Sequence, residues 1–171
     1  HSHYAISKYE AEIGLQGIFD GTDVELVIIR VPAIYGIDAP GNFGKIEGCI
    51  KKGIPLPFAS IQNKRSLISL DNLVDLIRIC ISHPKASNQV FLASDGVDLS
   101  TSDIILNMGL FLNKSTKLLK IPPIILKIFF YIIGKPHIAR SLLGNLQIDS
   151  KEMFKILNWT PPFHPIRFKE K

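Results

Sequence analysis

The sequence predicts an α/β fold around a parallel sheet, and three observations carry that prediction. Two runs, residues 24–30 and 89–93, are β-branched and nearly all apolar, which is how strands covered on both faces read. Amphipathic helical patterns alternate with them along the chain. Length adds the third: 171 residues with 46% hydrophobic and 20% charged composition suffice for one domain with a real core.

The elements follow in order. Residues 7–19 continue a helix that starts near Tyr4 and ends around Gly17 and Gly21. The strand at 24–30 is closed by Pro32, and Tyr35-Gly36 begins a loop rich in Gly and Pro that runs through Gly41. Residues 42–52 are helical and stop at Gly53. Residues 54–58, Ile-Pro-Leu-Pro-Phe, must be extended, because each Pro turns its predecessor away from helix. Residues 64–70 form a short strand. Asp71 is placed to cap a helix over 73–82 whose Leu73, Leu76, Ile77, Cys80 and Ile81 share one face. After the strand at 89–93, Ser100 or Thr101 with Asp103 starts a helix to about Leu112. A strand is expected at 118–121, helices at 125–133 and 139–143, and a last helix at 151–157 capped by Asp149 or Ser150.

Charge and composition narrow the function classes. Twenty Lys and Arg against fifteen Asp and Glu give a net charge of +5, but the basic residues are dispersed and not interleaved with aromatics. An anionic small ligand is therefore favoured over nucleic acid. Cys49 and Cys80 sit in apolar helical patterns and read as reduced core thiols, and no metal-ligand spacing is present. A cytoplasmic protein without a signal peptide is expected. The apolar run at 121–134 is shorter than the roughly 20 residues that cross a bilayer. It reads as a buried or partner-facing helix, with a membrane-surface helix as the alternative and no membrane partner expected.

Chemistry enters at Tyr4-Ala5-Ile6-Ser7-Lys8. One helical turn separates Tyr4 from Lys8, so both side chains project from one face. A neighbouring ammonium favours the phenolate, which suits proton transfer with a sugar or alcohol hydroxyl. Spacing alone is not decisive, since Tyr131 and Lys135 repeat it inside the apolar run.

Five segments in fixed order give the pair its context: residues 4–12, Arg30-Val31-Pro32-Ala33-Ile34-Tyr35-Gly36, Asn42 with residues 53–58, residues 65–75 starting at Arg65, and residues 149–162. Together they resemble the C-terminal half of the extended short-chain dehydrogenases/reductases, in particular the NAD-dependent nucleotide-sugar epimerases and dehydratases. The resemblance implies Tyr4 as acid/base, Lys8 on the nicotinamide ribose, and Pro32 beside the cofactor. It implies Asn42, Arg65 and Arg140 at the sugar diphosphate, with the main chain of Leu56 and Phe58 along the base of a UDP-sugar. An Arg fits that task because its planar fork meets two phosphate oxygens together. Ala33 departs from the Asn common in epimerases.

The family's Gly-rich pyrophosphate turn and the Ser or Thr that completes the Tyr-Lys site have no counterpart here. The expected architecture is thus a truncated half of a Rossmann-like doubly wound sheet plus a small mixed α/β substrate-binding domain. Residues 1–171 form that one portion, with residues 1–3 read as a tag remnant. The implied function is the substrate-binding part of a nucleotide-sugar epimerase, NAD-dependent as a whole and inactive as this portion alone. Dehydratase or reductase chemistry, or a non-catalytic binding module, are the alternatives. Partners implied are a nucleotide-sugar and a second copy of the chain, since an open sheet edge favours a homo-oligomer.

Overall fold

A computed structural model describes residues 3–36 and 41–163. The chain is a mixed α/β protein with five short strands and seven helices among the described residues. Strand β1 (Ile28–Arg30) pairs in parallel with β4 (Val90–Leu92). A second sheet places β3 (Arg65–Ser69) between parallel β2 (Ala33–Tyr35) and antiparallel β5 (Asp98–Leu99). The predicted strand at 24–30 is shorter than expected. Its first half leaves the ladder, where the Leu26 amide donates to the Asn88 side chain instead. Beyond Pro32, which has no N–H to continue pairing, the chain resumes as β2, a strand hidden in sequence by the Pro-Gly signals around it.

Two cores divide the molecule. In one, Ile68, Phe91 and Ala93 meet Leu76 and Cys80 of α3 (Leu70–Ser82) and Met153 and Leu157 of α7 (Lys151–Leu157). In the other, Leu56, Phe58 and Ile61 pack with Ile46 and Ile50 of α2 (Asn42–Lys51), Ile105 of α4 (Thr101–Phe111) and Leu126 of α5 (Pro123–Ile132). Helix α6 (Pro136–Leu143) packs against α5. The chain passes from the second core to the first between Ile61 and Ile68, and Asn63 and Arg65 stand at that crossing.

Helix ends follow local chemistry. Ser100 caps α4 through the Asp103 amide, and Asp103 returns a bond to the Ser100 amide, a closed capping box. Helix α3 is capped by Ser69, not Asp71: the Ser69 hydroxyl accepts from the Asn72 amide, so the helix begins three residues earlier than the sequence suggested. Its buried stripe is Asn72, Leu76 and Cys80, while Ile81 is 82% exposed. Lys52 ends α2, and Gly53 follows at φ +67°, a left-handed turn that glycine adopts without strain. Helix α1 (His3–Phe19) has no buried side chain. An ion pair from Glu12 to Arg30 ties it to β1 and holds the Glu12 carboxyl below its usual range.

Candidate functional site

Arg65 opens β3 at the crossing between the two cores. Its backbone is held on both sides, by Leu99 of β5 and by Leu146. Its side chain is half-buried, and Nη1 donates to the Gly144 carbonyl at 3.1 Å. Burial lowers its affinity for the proton, and among the described residues it forms no ion pair with a carboxylate. A half-buried guanidinium with donors to spare and no carboxylate partner among the described residues has the chemistry to take up an anion.

Gly144 organises the surroundings. Its carbonyl also accepts from Asn63 Nδ2 at 2.8 Å, and its amide donates to the Arg140 carbonyl at 3.2 Å. A Cβ here would stand 2.6 Å from the Arg140 carbonyl oxygen, so a larger residue displaces the backbone that positions Arg65. Asn63 is buried and fully used. It donates a second bond to the Leu142 carbonyl and accepts from the Thr101 amide at 2.8 Å. Sequence reasoning passed over Asn63 and Gly144. The only cue, a polar residue between Ile61 and the strand, is common in exposed loops.

Two of the other expected substrate contacts, Asn42 and Arg140, meet at α6. Asn42, at the start of α2, donates through Nδ2 to Ser141 Oγ at 3.1 Å. Ser141 is the neighbour of Arg140, whose side chain is exposed on α6. Phe58 is buried, and its carbonyl accepts from Ser102 Oγ at 2.8 Å, one residue beyond the Thr101 that serves Asn63. Hydrogen bonds and the backbone of α6 and α4 therefore connect Asn42, the Arg140 carbonyl, Arg65 and the Phe58 carbonyl through Ser141, Gly144, Asn63 and the start of α4. Leu56 stands differently. Its amide donates to Lys117 and its carbonyl accepts from Leu119, so both main-chain groups are committed within the chain.

Tyr4 and Lys8 lie apart from this cluster among the described contacts. Tyr4 is 73% exposed near the start of α1, and the Lys8 ammonium is 5.7 Å from its ring centre. The Glu12–Arg30 ion pair brings the middle of α1 to the end of β1, two residues before the half-buried Pro32. One polar cluster was not anticipated. Tyr35 Oη donates to Asp95 Oδ2 at 2.7 Å, the Ser69 amide donates to the same oxygen, and Asn72 Nδ2 donates to Asp95 Oδ1. Burial, with the Asp95 charge beside it, pushes the Tyr35 phenol well above its ordinary pKa. The sequence signal was Ser94-Asp95-Gly96 directly after a strand, easily taken for a plain turn.

No protein-family model matches the chain. It is 46% identical over 160 residues to a UDP-glucose 4-epimerase of Vibrio cholerae, an alignment that covers 93% of this chain and 49% of the relative. It is 26% identical over 123 residues to the N-acetyl-alpha-D-glucosaminyl-diphospho-ditrans,octacis-undecaprenol 4-epimerase of Escherichia coli, covering 71% of this chain and 37% of that protein. Among solved structures, the UDP-glucuronic acid 4-epimerase of Bacillus cereus in complex with UDP-glucuronic acid and NAD superposes with a TM-score of 0.69. The sequences are 17% identical, over 95% of this chain and 48% of that one. The chain spans about half the length of the Vibrio cholerae and Bacillus cereus epimerases and less of the Escherichia coli one.

Proposed function

We propose, on the premise that this chain is a homologue of the nucleotide-sugar 4-epimerases over about half their length, that it forms the sugar-nucleotide-gripping part of an NAD-dependent epimerase. The observation that carries the reading is Arg65: half-buried, without an acidic partner among the described residues, and fixed by Gly144 beside Arg140. A diphosphate supplies the missing negative charge, and the guanidinium can meet it with paired donors. Asn42 adds an amide donor at the start of α2, where backbone N–H groups also favour an anion. The 54–58 segment would lie along the base, held in place by the Leu56 main chain and by the Phe58 carbonyl, which accepts from Ser102.

Tyr4, Lys8 and Pro32 fit the nicotinamide-ribose end of the cofactor, because Tyr4 and Lys8 share one exposed helix face and Pro32 leaves the adjoining strand. No Gly-rich turn of this chain matches the pyrophosphate end. NAD, when bound, supplies hydride acceptance and return at the sugar carbon. The chain's own part is acid/base work: Tyr4 takes and returns the proton of the sugar hydroxyl, with the Lys8 ammonium beside its ring. The same parts serve a dehydratase or reductase, and a non-catalytic binding module would retain only the anion grip. A second sugar carrier, a polyprenyl diphosphate, presents the same diphosphate to Arg65 and is favoured by the likeness to the Escherichia coli enzyme.

Calorimetric titration with UDP tests the reading. The chain is expected to bind UDP at millimolar concentration or better. Arg65→Ala is expected to weaken binding by about tenfold or more, the loss of a charge-assisted hydrogen-bonded contact. An unchanged affinity in the folded variant, or no heat from UDP with a folded chain, contradicts it.

A further inference from the structure

We propose that α5 is an interfacial helix that seats the protein on an anionic lipid bilayer. The sequence read the run at 121–134 as buried or partner-facing, yet in the structure α5 buries only Leu126, with Phe130 packed partly against the core. Tyr131, Ile124, Ile128, Ile132, Ile125 and Phe129 are all more than half exposed, and Ile132 reaches 79%. At 3.6 residues per turn these six fall in one sector of about 160° on the side away from Leu126. A soluble helix normally turns such a stripe inward. A contiguous exposed stripe of this size marks a contact surface.

Charge selects the occupant. Between Asp103 and Asp149 the sequence has no acidic residue, while Lys114, Lys117, Lys120, Lys127, Lys135 and Arg140 all fall within it. Lys120 and Lys135 bracket α5, and Lys127 lies on its exposed surface at the margin of the apolar sector. An apolar face edged by lysines on long apolar stems matches the boundary between acyl chains and anionic headgroups. Tyr131 suits the same depth, with its ring in the apolar layer and its hydroxyl toward water. Ten residues span about 15 Å, half the hydrocarbon thickness, so α5 lies along the surface and does not cross it. No helix among the described residues is long and apolar enough to span.

The placement has a geometric consequence. Helix α5 packs on α6, which carries Arg140 and the Ser141 that receives Asn42. The seat on the bilayer therefore adjoins the cluster around Arg65. The inference itself rests on the α5 surface and its charges, and it stands whether or not that cluster binds a sugar diphosphate.

Co-sedimentation of the full 171-residue chain with vesicles provides the test. Partition is expected to be about tenfold stronger onto mixed phosphatidylglycerol–phosphatidylcholine vesicles than onto phosphatidylcholine alone, and to fall as salt is raised. The double variant Ile128→Ser with Ile132→Ser is expected to lose binding by about tenfold with an unchanged circular dichroism spectrum, since both side chains are exposed. Lys120→Gln, Lys127→Gln and Lys135→Gln together are expected to abolish the preference for the anionic vesicles. Equal partition of the parent chain and the double Ile variant overturns the proposal. So does a dimer, seen by light scattering, that the double Ile variant dissociates while no form of the chain binds vesicles.

Discussion

Asp75 joins the last turn of the fold to α3. Its carboxylate accepts from Trp159 Nε1 at 2.8 Å and from Arg78 at 2.9 Å. The Trp159 bond first, and the Arg78 contact second, hold its pKa below the ordinary carboxylate value. The folded form therefore binds its proton more weakly than the unfolded chain does. This stabilisation is complete above the unfolded carboxylate pKa, about 4, and is lost as pH falls through the lower folded value. Asp75→Ala leaves the buried Trp159 N–H without that acceptor and is expected to cost about 1–2 kcal/mol at neutral pH. Urea unfolding midpoints should show that difference at pH 7 and show it shrinking in strong acid. A constant gap across that range would mean the carboxylate charge is not involved. Single residues were unequally legible at this scale. Asn42, Arg65 and the Trp159 turn stood out because their neighbours in sequence form recognisable segments. Asn63 and Gly144 did not, because their roles arise from carbonyls that only the folded chain brings to them.

Among elements, the helices with strong end signals were predicted closely. Ser100 and Asp103 fixed the start of α4, and Gly53 marked the end of α2, because capping is local chemistry. Where tertiary contacts decide, the reading slipped. Helix α3 turned its stripe toward Asn72 and away from Ile81, since Asn72 is drawn into the buried cluster with Asp95. That cluster fastens the two sheets together: Asp95 follows β4, Tyr35 ends β2, and the Ser69 amide ends β3. Asp95→Asn sets an amide donor against either the Ser69 N–H or the Asn72 side-chain donor, whichever way it faces. The expected cost is about 2–3 kcal/mol, seen as a lower urea midpoint with an unchanged slope. A midpoint within experimental error of the parent would show that the sheets are held by apolar packing alone. The strands β4 and β1 were expected to be covered on both faces, yet Val90 and Leu92 are exposed and only Phe91 is buried. A run of β-branched residues records strand propensity, and cannot record which neighbour covers it.

The molecule as a whole is two apolar cores between which the chain passes more than once, with polar groups gathered at the crossing between Ile61 and Ile68. The α/β class was legible because strands and helices alternate. The position of the crossing was not, because it depends on pairings of Arg65 with Leu99 and Leu146, separated from it by more than thirty residues. Helix α1, whose apolar Ile6, Tyr9 and Ile18 lie exposed, carries the Tyr4–Lys8 pair and meets β1 through the Glu12–Arg30 ion pair. The central claim is that Asn42, Arg65, Arg140 and the 54–58 segment form one anion-gripping surface. Amide chemical-shift mapping during a UDP titration measures this most directly. The account predicts that the largest shifts fall together at Asn42, Phe58, Arg65 and Gly144, and that α7 and the β1–β4 pair stay silent. Shifts scattered over the basic surface, or confined to one of those segments while the others do not respond, would contradict it.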